Sequence, residues 1–501
     1  MLLKPLGPID QMFLWLERRT QPMHVGGLQL LSPPPGAGAD WLAHQVEALR
    51  KAVRAGPPFN RRLVRRLGSW FWTEDEHFDL DAHFIHMALP APGRVRELLA
   101  LVSQLHAAHL DRARPLWEFY IISGIEDGRF AIYAKIHHAM VDGIAGMRLL
   151  RRMMSEDPAT PAIPPWTMQP REARRGVDGT PAVTPGAYSN VAHLLGSIRE
   201  QASTVPAVTR ELYRSIREGR DNPDYVSAFQ APRSILNQRI TGSRRFAAQS
   251  YTMSRIRDAV KRRHATVNDI VLAICASALR RYLLDLDALP DKPLIAMVPL
   301  SLRRDASEHG NQIAMILANL GTHLADPSAR LAVIQGSVQD AKQRYARMKP
   351  TGMLGYVAAM MAPAGLNIAS GIAPRWQSFN VIISNVPGPK RTLYWNGAKL
   401  EGMYPVSIIT DGLALNITLT SYVDRVEFGV IACRRTLPRI QRLLDYFEQG
   451  LAELEAAPPA PAMQPDDPPR AAPVDGPDGI PPKRVRKKAA RKSAPKSAPK
   501  T

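Results

Sequence analysis

Apolar residues recur along this chain at two spacings, and the spacing changes from segment to segment. Apolar positions three and four apart predict helices over 41–53, 95–110 and 270–284, and 147–154 reads as the end of another. Short apolar or alternating runs bounded by Gly, Pro and Asp predict strands over 25–31, 119–125, 130–136, 294–299, 379–383, 413–421 and 426–432. The runs 119–125 and 130–136 are joined by Glu126-Asp127-Gly128-Arg129, a hairpin signal. Strands and helices alternate in this way over two stretches of similar size, which predicts an α/β (α+β) chain of two units.

Proline and charge divide the chain further. Pro158, Pro161, Pro164, Pro165, Pro170, Pro181 and Pro185 interrupt any regular element after residue 157, and a helix is expected over 192–217. The expected organisation is a first domain at 1–156, a Pro-rich, partly helical connector at 157–232, a second domain at 233–457, and a disordered Pro/Ala/Lys-rich tail at 458–501. The tail carries ten Lys+Arg against four Asp+Glu, so fourteen of the twenty net positive charges belong to the body. A basic body suits anionic partners in general, phospholipid surfaces and phosphate-bearing substrates among them.

Two cysteines among 501 residues, Cys275 and Cys433, exclude a disulfide scaffold and a cysteine-based zinc site. The N-terminal prolines and Asp10 interrupt the apolar run that a signal peptide needs. The longest charge-free stretch, 351–374, contains Pro363 and Asn367 and reads as buried or as channel wall rather than as a membrane span. There is no GxSxG elbow, no P-loop and no HExxH. His77, His83 and His86 lie among acidic residues at no metal-binding spacing, so that segment is expected to be charged surface and no metal site is expected.

The most specific signal is His137-His138-Ala139-Met140-Val141-Asp142-Gly143, placed between a predicted strand and an apolar helix. Imidazole at a strand end, with an aspartate four residues on and a glycine for the turn, is suited to take a proton near neutral pH. Other segments have simple structural accounts. Asn268-Asp269 suits the start of a helix, Pro115-Leu116-Trp117 the start of a strand, and Ser384-Asn385-Val386-Pro387-Gly388-Pro389 a strand ending in a turn. Ser384 or Asn385 could also offer a donor to a developing oxyanion.

HHAMVDG resembles the active-site motif of the CoA-dependent acyltransferases, and specifically of the bacterial bifunctional wax ester synthase/acyl-CoA:diacylglycerol acyltransferases. The resemblance extends to PLGPIDQMFLWLERRTQPMHVGGLQL, LDRARPLWEFYIISGIE, TVNDIVLAICASALRRYL, FNVIISNVPGP and LEGMYPVSIITDGLALNITLTSYVD, and covers nearly all of residues 1–450. It implies two chloramphenicol acetyltransferase-like domains, each a mixed sheet with flanking helices, with the active-site channel between them. It also implies transfer of a long-chain acyl group from acyl-CoA to a fatty alcohol, giving a wax ester, or to diacylglycerol, giving triacylglycerol. His138 would be the general base, His137 a supporting residue, and Asp142 a structural residue that orients the loop with Gly143. Pro115, Leu116, Trp117, Asn268 and Asp269 match the family's PLW and ND motifs. Acyl-CoA is then a substrate, and no cofactor is expected.

The chemistry agrees with that reading. A hydroxyl needs a base to become a nucleophile, while a thiol leaving group with a pKa of about 8.5 needs little acid assistance. One base and an oxyanion donor are sufficient, through a ternary complex. The enzyme is expected in the cytoplasm, peripherally attached to the inner face of the membrane and to lipid inclusions. Nucleic acid is not expected as a partner, except through the basic tail, and the sequence is silent on oligomeric state. Two other readings are an acyltransferase of the same motif acting on another hydroxyl or an amine, and a basic scaffold that binds nucleic acid or membrane.

Overall fold

The structure is a computed structural model that describes residues 3–66, 68–141, 143–168, 217, 226, 230–301, 313–347, 356, 360 and 377–458. The helix expected at 192–217, most of the connector, Asp142, nearly all of 351–374 and the tail lie outside the described residues.

Two six-stranded mixed sheets organise the chain. The first runs, in spatial order, β12 (Tyr394–Trp395), β13 (Ala398–Val406), β2 (His24–Ser32), β7 (Phe130–His137), β6 (Trp117–Ser123) and β5 (Phe84–Ala88). The second runs β10 (Ile313–Asn319), β9 (Ile295–Ser301), β11 (Val381–Val386), β14 (Leu415–Tyr422), β15 (Arg425–Cys433) and β8 (Arg244–Thr252). Pairing is antiparallel except for β5 with β6 and for β11 with both β9 and β14. A separate three-stranded sheet has the order β1 (Lys4–Pro5), β4 (Ser69–Glu74), β3 (Arg61–Arg66).

The helices cover these sheets. They are α1 (Pro8–Leu16), α2 (Trp41–Arg50), α3 (Val95–Ala107) and α4 (Gly143–Arg152) in the first half. The second half has α5 (Met253–Arg262), α6 (Val267–Leu284), α7 (Pro327–Arg347) and α8 (Arg442–Ala456). Every residue of β7 is buried, as expected for a strand with neighbours on both sides and both faces covered. Helix α6 is buried along almost its whole length, which explains why its apolar residues surround it rather than forming a stripe.

The α/β expectation of two mixed sheets with flanking helices stands, but the linear reading foresaw neither the separate three-stranded sheet nor the crossing of strands between the halves. β12 and β13 come from the second half of the chain but complete the sheet of the first half, through β13 against β2. The predicted elements otherwise fall within a few residues of those observed. The strand expected at 119–125 starts earlier, at Trp117, and ends at Ser123, before Gly124 and Gly128 turn the chain with positive φ. His83 departs from the charged-surface expectation: it is buried, stacked on Phe78 and Trp117, with Nδ1 2.8 Å from the Trp117 carbonyl.

Candidate active site

β7 delivers His137 as its last residue and His138 as the first residue of the following loop. The backbone fixes both. The His137 N–H donates to the Leu116 carbonyl at 3.0 Å, and the His138 N–H donates to the Met23 carbonyl at 2.9 Å. The Met140 N–H returns to the His137 carbonyl at 2.9 Å, closing a tight turn. Residue 116 of the Pro-Leu-Trp segment therefore anchors the loop on one side, and the residue preceding β2 anchors it on the other.

The two imidazoles have different surroundings. His138 is half-buried, and its ring lies parallel to that of Phe13 on α1, centroid to centroid 4.0 Å at 17°. His137 is wholly buried, and its Nδ1 accepts from the Ala139 N–H at 3.0 Å. That acceptor role assigns the proton of neutral His137 to Nε2. Nε2 lies 3.5 Å from Glu17 Oε1, a long contact.

Glu17 leaves the end of α1 in an extended conformation, with its side chain buried. Its closer partners are Arg112, whose Nη2 and Nε donate to Oε2 at 2.8 and 3.0 Å, and the Met23 N–H, which donates to Oε1 at 3.1 Å. His109 Nδ1 stands 3.5 Å from Oε1. Burial by itself would raise the Glu17 carboxyl. The nearby His137 ring, the Met23 N–H and the Arg112 guanidinium outweigh it and bring the group down to about 2. Glu17 is thus an anion that reaches both histidines: His137 by its side chain, and His138 through the Met23 peptide.

An apolar cavity opens beside this loop, between the two sheets. Ile136 and Val141, which flank the histidines in sequence, line it together with Val25 and Leu150, and the second half contributes Val386 and Met403. Gln29, fully buried on β2, also lines it, and neither its amide oxygen nor its nitrogen has a hydrogen-bond partner among the described residues.

The remaining sequence candidates fall in place around this centre. Asp142 lies outside the described residues, and Gly143 is the first residue of α4. Pro115-Leu116-Trp117 is structural in its contacts: Leu116 is buried with Ala139, and Trp117 Nε1 donates to the Phe59 carbonyl at 2.8 Å. Asn268-Asp269 is not itself the helix cap. Thr266 caps α6, its hydroxyl accepting from the Asp269 N–H at 3.2 Å while Asp269 Oδ2 accepts from the Thr266 N–H at 2.9 Å. Ser384 shares a face of β11 with cavity-lining Val386, whereas Asn385 points the other way and is exposed. Gly388 turns the chain where a Cβ would come within 1.8 Å of the Ser421 carbonyl oxygen, so the turn needs glycine.

Glu17, Arg112 and Phe13 were not foreseen. Their signal in the sequence is slight: a lone carboxylate after the apolar run Phe13–Leu16, with no spacing rule that ties it to residue 137.

The wax ester synthase/diacylglycerol acyltransferase catalytic domain matches residues 6–271, and the C-terminal domain of the same family matches residues 309–455. The chain belongs to this family. The O-acyltransferase WSD of Acinetobacter baylyi is 51% identical over 458 residues, which is 90% of this chain and 97% of that protein. The solved wax ester synthase/diacylglycerol acyltransferase from Marinobacter aquaeolei VT8 is 50% identical, with a TM-score of 0.73 over 90% of this chain and 98% of that one. The first condensation domain of the calcium-dependent antibiotic synthetase, at 16% identity and a TM-score of 0.54 over 92% of this chain and 97% of its own, shares the fold. The protein is accordingly an O-acyltransferase, and His137 and His138 lie within its matched catalytic domain.

Proposed function

We propose that this acyltransferase moves a long-chain acyl group from acyl-CoA to the hydroxyl of a fatty alcohol or a diacylglycerol, with His138 as general base. One observation carries the reading. The His138 ring is held flat against Phe13, and its backbone is bonded to Met23, in a loop whose neighbours Ile136 and Val141 line an apolar cavity.

In this mechanism His138 takes the proton of the acceptor hydroxyl as its oxygen attacks the thioester carbonyl. The tetrahedral intermediate then collapses, the C–S bond breaks, and the proton passes to the departing CoA sulfur. Positioning matters most, because a base misplaced by about 1 Å can cost on the order of 10²-fold in rate. Glu17 and His137 are positioning residues, and Ser384 is our candidate donor to the intermediate's oxygen. Cys275 takes no part: it is buried in α6, and burial pushes its thiol up.

The acceptors are nearly insoluble, so the enzyme works at the cytoplasmic face of the membrane or at a lipid inclusion, with basic residues facing the lipid. No described helix is long and apolar enough to cross a membrane. The deciding experiment is thiol release from palmitoyl-CoA, run separately with hexadecanol and with dipalmitoylglycerol, with each ester identified. Release without either ester would overturn the proposal.

A further inference from the structure

Helix α1 has two faces with different roles. Leu14 is buried and Phe13 stacks on His138, while Met12 and Trp15, three apart and therefore on one face, are 43% and 64% exposed. A tryptophan that open on a helix with this much apolar surface calls for an explanation. The small sheet beside α1 adds to the same unit. Leu6, Leu14 and Leu63 form one buried cluster with Leu116 and Ala139, and Trp70 and Trp72 pack against it. Helix α1 and the sheet β1–β4–β3 thus form a cap seated directly on the catalytic loop.

The cap is also basic. Segments 3–19 and 61–72 hold seven Lys+Arg against two Asp+Glu, and one of those two, Glu17, is turned inward. Lys4, Arg19, Arg65 and Arg66 are exposed. Neither Arg65 nor Arg66 makes an ion pair among the described residues, and the Arg65 guanidinium lies over the Trp70 ring at 5.9 Å.

We propose that this cap, with Trp15 and Met12 at its apolar tip and Arg65 and Arg66 as its basic rim, docks the enzyme onto an anionic phospholipid surface. The proposal rests on the acyl-transfer reading for its purpose: docking there brings lipid-borne acceptors to the far side of the helix that positions His138. The chemistry selects this partner. Tryptophan favours the headgroup boundary, where its ring is buried and its N–H stays wet, and arginines pair with phosphate. A second copy of the chain is a poorer occupant, because a two-fold contact would set two like-charged rims against each other.

The test uses the full-length chain, with Met12→Ser/Trp15→Ser as one variant and Arg65→Gln/Arg66→Gln as another, each checked for an unchanged melting temperature. Binding to phosphatidylglycerol-rich vesicles is measured by flotation, with phosphatidylcholine vesicles as the neutral control. Both variants are expected to bind the anionic vesicles roughly tenfold or more weakly. Both should lose turnover of dipalmitoylglycerol embedded in them, and both should keep wild-type turnover of octanol in solution. Wild-type vesicle affinity in both variants would overturn the proposal, as would a dimer in sedimentation that either variant dissolves. Failure of the wild type to esterify octanol would instead overturn the acyl-transfer reading, while leaving the vesicle measurement to stand.

Discussion

Glu17 and His138 hold the same residue from its two ends: the Met23 N–H donates to the Glu17 carboxylate, and the Met23 carbonyl accepts from the His138 N–H. A buried anion at the end of α1 therefore sets the position of a loop more than a hundred residues away in sequence.

Glu17→Gln is expected to lower turnover by up to about 10²-fold, with little change in the KM for acyl-CoA, because it loosens the geometry rather than a binding contact. It should also change acid stability. The Glu17 group sits at about 2 against an ordinary 4.5, so its stabilisation is complete above pH 4.5 and is lost as the pH falls toward 2. At its largest that contribution is roughly 3 kcal/mol. Urea unfolding of wild type and variant should therefore differ most at neutral pH and converge as the medium is acidified. A difference that stayed constant from pH 7 to pH 3 would show that the carboxylate's charge is not what stabilises the loop.

Asp269→Ala should cost about 1 kcal/mol of stability and leave kcat unchanged, since the carboxylate closes a reciprocal cap with Thr266. Asp269→Glu should recover most of the stability. The matched pair of melting curves and rates separates the two roles: collapse of kcat with an intact melting temperature would move Asp269 into the chemistry.

Phe13→Ala removes the ring on which the His138 imidazole rests. Such a stacked pair is worth about 0.5–1.5 kcal/mol, so the fraction of His138 held in place should fall and kcat with it, by roughly tenfold at most. Phe13→Tyr keeps the stack and should stay near wild type. Equal loss in both variants would point to a steric role for residue 13 instead.

The parts of this site that could be read from sequence are those made by neighbours along the chain. The β6–β7 hairpin, the His137-His138 loop after it and the start of α6 all follow from local spacing. Glu17 could not be read, because its link to His137 exists only once β2 pairs with β7 and places His24 opposite His137. β13 was missed for a related reason: Gly402 and Pro405 weaken its strand pattern, and its partner, β2, lies in the other half of the chain. β3, with the sequence RRLVRR, shows a single buried apolar side chain, Leu63, and is recognisable only beside the tryptophans of β4. Nearly all of the proposed channel wall at 351–374 lies outside the described residues, and the cavity that is described is lined from β2, β7, Val141, α4 and β13, with Val386 of β11 and Thr418 of β14.

Gln29→Met should raise stability. The buried amide of Gln29 leaves both of its polar atoms without a partner among the described residues, and an unsatisfied buried group costs about 1–3 kcal/mol. Methionine fills a similar volume without that cost, so the melting temperature should rise. A fall of similar size would mean that the amide holds a buried water whose bonds the variant loses.

One site should serve both kinds of acceptor. The cavity beside the catalytic loop is bounded mostly by apolar side chains, Val25, Ile136, Val141, Leu150 and Met403, with Gln29 as its buried amide, and such a surface has little with which to tell one long chain from another. Apolar pockets separate ligands by only about 1–3 kcal/mol per methylene unless a buried polar partner is left unpaired. Hexadecanol and dipalmitoylglycerol should therefore compete, each inhibiting esterification of the other, with the inhibition constant of each close to its own KM. His138→Ala should remove both products together, by on the order of 10²–10⁴-fold, because one base serves both. His137→Ala should affect both equally and less severely, since that ring acts through the loop. Additive rates at saturating levels of both acceptors, or a His138 variant that lost one ester and kept the other, would require a second site and would overturn the single-site account.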